Sequence, residues 1–469
     1  MAVKDIDTIV YVMLENRSFD HMLGYLSLDE TARGLPVDGL RSDKGWQWPW
    51  ANLARGAEYP IRRIRASQPI EEDPPHGRDA IGAQIDTAPR GPGQDRMGGF
   101  VDTYIRAHKH LADPGVVMGH YVAEDVPTFD FLARNFCVCD RWFTPLPLGT
   151  QANRLMAMSG TSRVVDNVTG LPDQQLVYDW LEERGVPWRV YVSGGFTPFF
   201  IMMRRWALKI VGSIATGRGP FRRFSGFRRD WQSVDPMPSV IFIEPEYADA
   251  PMSNPNDDHP PTPISKGQDF VRQIYDIVSS NPDRWARTLM IVTYDEHGGF
   301  FDHVPPPDLE TTVGDVTFRT LGPRVPALLV SPHVGEGAVF SEQLDHTSVL
   351  ELIAERFGGG SGYSEVVSER QSAMGRIVNA LLDEPRTGRA PAMPPRPRAA
   401  GPMVATVPQA PTAPQTPNAA AIDAVMREMA AEHPALLAQP GWSEMRTYIA
   451  TNAPPVPQHR DHIGDAGDT

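Results

Sequence analysis

The feature that most constrains this chain is a repeated pairing of short apolar runs with helical patterns. The runs Ile9 to Leu14, Trp188 to Val192, Ser239 to Ile243, Leu289 to Tyr294 and Val325 to Ser331 are each bounded by polar or turn residues. Between several of them lie helical patterns, over Pro172 to Arg184, Lys266 to Ser279 and Thr347 to Phe357. Strands that are apolar throughout are buried on both faces, and alternation with helices is how a parallel sheet acquires that cover. The pattern predicts an α/β fold with a mostly parallel central sheet covered by helices on both faces. In such sheets ligands bind outside the carboxyl ends of the strands, so polar strings that follow the runs are the place to look for chemistry.

With 469 residues, the chain can bury a large core. Its formal net charge of -14 argues against a nucleic-acid surface and provides oxygen ligands for hard cations. The cysteines, Cys137 and Cys139, are one residue apart. A bridge across one residue is strained, so they read as two small buried apolar side chains. The N-terminal MAVKDIDTIVYVMLENRSFD lacks a basic stretch, a long apolar core and a small-residue cleavage site. No run of 18 apolar residues occurs. The expectation is a cytoplasmic protein, unless it leaves the cell by a route the sequence does not show.

Residues 27 to 100 read as an irregular excursion over the active face, rich in Gly, Pro and Arg. Pro and Ala dominate from about Asp383 to Asn418, and a helical pattern resumes over Ala419 to Ala450. The expected division is a catalytic domain over 1–382, a Pro/Ala strap or linker over 383–418, and a helical segment with a loose tail over 419–469.

Polar strings do follow the apolar runs. Glu15-Asn16-Arg17-Ser18-Phe19-Asp20 comes directly after the first. It offers a carboxylate and an amide as neighbouring oxygen ligands, or equally a helix entry capped by Asn16. In Gly149-Thr150-Gln151-Ala152-Asn153-Arg154, a probable helix start puts the Thr150 hydroxyl where backbone N–H groups favour phosphate. Taken alone, the same residue could be an ordinary N-cap. Tyr294-Asp295-Glu296-His297-Gly298-Gly299 continues to Phe300-Phe301-Asp302-His303 after the most apolar run. So many ionisable groups at a strand exit are costly to bury unless they bind something. Asp295 and Glu296 are candidate cation ligands, with His297, Asp302 and His303 candidates for a network that orients the loop. Finally, His259 in Asn256-Asp257-Asp258-His259-Pro260 could bond a phosphoryl oxygen or protonate a leaving group.

Together, ENRSFDH, GTQANR, NDDHP and YDEHGGFFDHVPPP resemble the phosphoesterase family that contains bacterial and plant non-specific phospholipases C and certain acid phosphatases. Its relatives have the alkaline phosphatase-like α/β sandwich. The resemblance spans about residues 5 to 357. It implies that Glu15, Asn16, Thr150, Asp295 and Glu296 surround one divalent metal, that Thr150 is the nucleophile, and that His259 contacts the phosphoryl group. Asn153, His120, His297 and His346 complete the candidates for substrate contact, although a packed histidine at a helix entry explains His346 equally well.

The chemistry agrees. A hydroxyl is a weak nucleophile until activated, and a cation both activates it and offsets phosphoryl charge. An all-oxygen ligand set suits Ca²⁺, Mg²⁺ or Mn²⁺. A sulfatase would need a modified Cys or Ser in a short Pro-x-Arg context, which Thr150-Gln-Ala-Asn does not supply. The expected activity is hydrolysis of phosphate esters through a phospho-threonine, as a phospholipase C on phospholipid headgroups. The alternatives are an acid phosphatase acting on small phosphate esters and a silent phosphate- or lipid-binding module. The basic-aromatic segment from Arg204 to Trp231 could meet a membrane surface, or could be an amphipathic cover whose arginines pair with the protein's own acids.

Overall fold

A computed structural model describes residues 2–28, 34–41, 51–86, 96–194, 198–250, 254–395 and 416–452. At its centre is an eight-stranded sheet. In chain order the strands are β1 (Thr8–Leu14), β2 (Cys137–Cys139), β3 (Trp188–Val192), β4 (Phe221–Arg223), β5 (Val240–Glu244), β6 (Thr288–Tyr294), β7 (Ala327–Val330) and β8 (Ala338–Phe340). Across the sheet they follow the order β8-β2-β7-β6-β1-β5-β3-β4. Only the two pairings of β7 are antiparallel. β1 and β6 are buried at every position, which is why neither alternates apolar with polar residues. Their register runs from Thr8 opposite Thr288 to Leu14 opposite Tyr294. Glu15 and Asp295 therefore leave the sheet level with each other.

The principal helices are α1 (Thr150–Ser159), α2 (Val177–Glu183), α3 (Arg204–Thr216), α4 (Phe227–Ser233), α5 (Ser265–Val278), α6 (Thr347–Phe357), α7 (Pro417–Glu432) and α8 (Ser443–Thr451). Phe242 of β5 packs on Tyr178 of α2. Tyr191 of β3, in register with the next residue, Ile243, packs on Phe227 of α4. Successive strand residues point to opposite faces, so α2 and α4 cover opposite sides of the sheet. α6 packs on α1, and α5 on α4. The α/β class with both faces covered is as the sequence predicts. Side chains of the C-terminal helices, including Ile422, Met426, Trp442 and Tyr448, join the same apolar core as the sheet.

Two expectations change. Residues 27 to 100 are not wholly irregular: they contain a hairpin of Ala51–Ala54 with Ala57–Pro60 and a helix over Arg78–Asp86. The short strands β2, β4 and β8 escaped the sequence reading because three residues are too few to display a period. Both cysteines are buried and free, as expected. Residues 383–395 form neither helix nor strand. The rest of the Pro/Ala stretch, 396–415, and the tail, 453–469, lie outside the described residues. Among the described residues, no helix is long and apolar enough to cross a membrane.

Candidate active site at the strand ends

Three loops meet where β1, β5 and β6 end. The Glu15 backbone N–H donates to Asp257 O at 2.8 Å, and the Arg17 N–H to Glu296 O at 3.1 Å. Asn16 has a positive φ of 65°, and its N–H donates to Asp295 Oδ1 at 3.4 Å. Gly298 comes so close that a Cβ there would lie 2.3 Å from Asn16 O, and its φ of +64° also favours glycine. The ENR and DEHGG segments are thus held against each other by backbone contacts, with Glu15, Asn16, Asp295 and Glu296 all buried.

α1 delivers the fourth component. Gly149 occupies the N-cap, and Thr150, 2% exposed, is the first helical residue. Its hydroxyl is therefore not spent as a cap, and it sits at the positive end of the helix. One turn later on the same helix face, Arg154 reaches the strand ends. Its Nη2 lies 3.1 Å from Glu15 Oε1 and its Nε 3.1 Å from Asp295 Oδ2. Nη1 donates to the Tyr247 hydroxyl at 3.0 Å, and the guanidinium packs against both the Phe199 and Tyr247 rings. The acidic pair and the Thr150 helix are therefore bound together by one buried cation.

Three carboxylates against that one guanidinium leave a surplus of negative charge. Burial pushes the Asp295 carboxyl up to about 6, against the attraction of Arg154 and with the Glu296 charge adding to it. Burial also raises Glu15 well above the usual carboxylate range, again against Arg154. Glu296 goes the other way: burial favours its neutral form, but His76 and His297 hold its pKa down. Glu15 Oε2, Asn16 Oδ1 and Glu296 Oε1 are buried without a hydrogen-bond partner. Orphaned buried acceptors carry a desolvation cost of about 1–3 kcal/mol each, more when charged. Three of them on neighbouring residues, all oxygens and in surplus negative charge, fit a hard divalent cation.

Histidines flank this cluster. His259 Nδ1 donates to Pro260 O at 2.6 Å, while its Nε2 faces Asp73 Oδ2 at 3.8 Å. Burial works against its charge, yet Asp73, Asp249 and Asp257 prevail and raise its pKa to about 9. His76, which the sequence reading missed, packs edge-on to His259 at 5.7 Å and donates from Nδ1 to Pro74 O at 2.7 Å. When neutral, its Nε2 accepts from Asn16 Nδ2 at 3.4 Å, which turns Asn16 Oδ1 the other way. Asp73, His76 and His259 bring ligand-type atoms within 4.8 Å of one another.

Several of the candidate substrate contacts brace the backbone around the site. Asn153 accepts from Leu146 N at 3.0 Å and donates to Leu148 O at 2.5 Å, so its amide holds the loop ahead of Thr150. His346 accepts at Nδ1 from Trp142 Nε1 and donates from Nε2 to Asp295 O at 2.8 Å. Burial lowers its pKa to about 4, and this neutral ring positions the end of β6. His297 Nε2 donates to Gln84 Oε1 at 2.8 Å, with Nδ1 3.3 Å from Glu296 Oε2. It belongs to the orienting network. His120 joins none of these contacts, and its Nδ1 donates to Tyr121 O at 3.0 Å. Asp302 and His303 form the second part of the network: Arg324 bonds Asp302 and Asp20, and His303 bonds Asp20.

Of the residues the sequence reading gave no role, Arg154 carried a signal. It lies four residues after Thr150 on an expected helix, and an arginine on a buried face requires carboxylates. His76 and Asp73 carried none, because their stretch shows no period.

The Phosphoesterase family matches residues 6–359. The chain belongs to the phosphoesterase family. This phosphoesterase is 32% identical to non-specific phospholipase C3 of Arabidopsis thaliana, over 85% of its own length and 78% of the relative's. It is 28% identical to phospholipase C A of Mycobacterium tuberculosis strain H37Rv, over 87% and 82% of the two chains. Membership makes it a phosphoric ester hydrolase. Among solved structures, a phosphonate monoester hydrolase of Agrobacterium radiobacter is similar over 56% of this chain and 74% of that one, at 13% identity and a TM-score of 0.33.

The basic-aromatic segment is built into the phosphoesterase as a cover. Trp206, Phe221, Phe227 and Trp231 are buried. Arg204 pairs with Glu428, Arg205 with Asp179, Lys209 with Glu182 and Arg229 with Asp230.

Proposed function

We propose that this phosphoesterase is a phospholipase C that cleaves phosphodiesters of lipids through a phosphorylated Thr150. The observation that carries the reading is the trio of partnerless buried oxygens on Glu15, Asn16 and Glu296, beside a helix start whose first residue is a threonine. Glu15, Asn16, Asp295 and Glu296 would hold one divalent cation, Ca²⁺, Mg²⁺ or Mn²⁺. When bound, that ion supplies charge compensation for the phosphoryl oxygens and for the threonine oxygen.

Thr150 attacks as the alkoxide, its hydroxyl proton already lost to solvent: Oγ1 bonds phosphorus in line as the bond to the diacylglycerol oxygen breaks. The positive end of the α1 dipole lies at Thr150 and favours the added negative charge. His259, protonated at neutral pH with a pKa of about 9, gives its Nε2 proton to the departing oxygen. Water then cleaves the Oγ1–P bond and releases the phosphorylated headgroup, neutral His259 taking the water's proton and Thr150 departing again as the alkoxide. His76 stands beside Asn16 and His259 as a further phosphoryl contact. Arg154 keeps the carboxylates and the Thr150 helix in one arrangement. Named relatives over most of the chain support the lipid diester as substrate.

The test is turnover of purified protein on phosphatidylcholine vesicles and on a chromogenic phosphomonoester, with and without chelator. Chelator-sensitive diacylglycerol release and a radiolabelled phosphoryl group trapped on wild-type but not on Thr150→Ala protein are the expected results. Monoester cleavage without diacylglycerol would make it a phosphatase, and unchanged turnover by Thr150→Ala would remove the nucleophile.

A further inference from the structure

The family match ends at residue 359, yet the chain returns to the active face about sixty residues later. At the start of α7, Thr416 caps the helix by accepting from Ala419 N. Asn418, 3% exposed, lies in its first turn. The Asn418 amide spans two loops of the site. Its Oδ1 accepts from Gln151 Nε2 at 2.6 Å, and its Nδ2 donates to Asp249 Oδ2 at 2.9 Å. The Thr416 hydroxyl donates to the other oxygen, Asp249 Oδ1, at 2.9 Å. Gln151 is fully buried and directly follows Thr150. Asp249 lies on the segment that joins β5 to Asp257 and His259 and is among the charges that raise the His259 pKa.

A third link is apolar. α7 packs on the turn Phe199–Met202 and on α3. Phe199 is the ring over the Arg154 guanidinium, and its N–H donates to Glu244 Oε2 at 2.6 Å. One C-terminal helix thus bonds the neighbour of the candidate nucleophile and the segment that carries the candidate acid, and packs on the turn that bears the ring above the cation.

We propose that Asn418 is a positioning residue for phosphoester hydrolysis: it clamps the Thr150 helix to the Asp249 segment, so that residues beyond the family match complete the site. The inference rests on the proposed role of Thr150. Neither amide group of Asn418 is available to substrate, so its effect passes through Gln151 and Asp249. A clamp of this kind fixes the separation of nucleophile and proton donor, and a misplacement of about 1 Å can cost a hundredfold in rate.

The experiment uses the full chain and the chromogenic phosphoester that wild-type protein turns over best. Asn418→Ala removes both bonds, and the expected result is a loss of kcat of about tenfold with KM within about twofold. Asn418→Asp keeps the acceptor for Gln151 but sets a carboxylate against Asp249, and should lose as much. Combining Asn418→Asp with Asp249→Asn restores donor and acceptor in reverse with no change in net charge. That exchange should recover at least half of the lost kcat. A Gln151→Ala, Asn418→Ala double-mutant cycle should be clearly non-additive. The proposal is overturned if Asn418→Ala lowers the unfolding midpoint but leaves kcat of the folded protein unchanged, or if the exchange fails to recover activity while both single variants are folded. An inactive wild-type protein would instead sink the phosphoesterase mechanism itself.

Discussion

Arg154 is buried, and its two ion pairs compensate carboxylates that are themselves buried. Replacing one partner of a buried ion pair is costly because the other charge is stranded, typically by 3–5 kcal/mol. Arg154→Met should therefore lower the unfolding free energy by about that amount in urea titration. Added Mg²⁺ or Ca²⁺ should shrink the deficit by replacing the missing positive charge. Glu296→Gln keeps the shape but removes a ligand charge, and kcat should fall about a hundredfold as transition-state stabilisation is lost. His303 provides a pH test away from the proposed cation site. Burial disfavours its charge, but Asp20 and Asp38 raise its pKa to about 9 from 6.5. Because the folded pKa lies above the unfolded one, its contribution is complete below pH 6.5 and is lost as pH rises through about 9. Stability measured between these limits should decline by roughly 3 kcal/mol in wild type and less in His303→Gln. At this scale the buried acidic cluster was legible, since carboxylates stranded after an apolar run demand a partner. The backbone contacts of Asn153 and His346 were not legible, because a side chain that serves the main chain looks in sequence like one that serves a ligand.

β1 and β6 are the elements that make the site possible, because their shared register brings Glu15 and Asp295 out of the sheet side by side. The two loops that follow touch at Gly298. Gly298→Ala combines a Cβ 2.3 Å from a backbone oxygen with a φ of +64°, so it should lower both the unfolding midpoint and kcat. Gly314 is the control: its φ of +59° carries the same backbone cost, but nothing lies within 4 Å of an added Cβ. Gly314→Ala should leave kcat unchanged. The long strands and the helices over Ser265–Val278 and Thr347–Phe357 were legible because burial on two faces or on one stripe imposes a period. The edge strands and the segment carrying His76 were not. Short strands owe their pairing to neighbours distant in the chain, and a loop histidine obeys no period.

As a whole molecule, the protein gathers its site from residues spread from Glu15 to Asn418, so folding and assembly of the site are one event. A divalent ion that binds only the assembled cluster should raise the unfolding temperature, and more so as its concentration rises above its dissociation constant. Calorimetry with and without chelator checks this, with Glu296→Gln as the variant whose midpoint should respond least. The contact of Asn418 with Gln151 also gives the molecule a history. Asn418 is translated after every residue of the family match, so in a growing chain α1 emerges well before the side chain that bonds its Gln151.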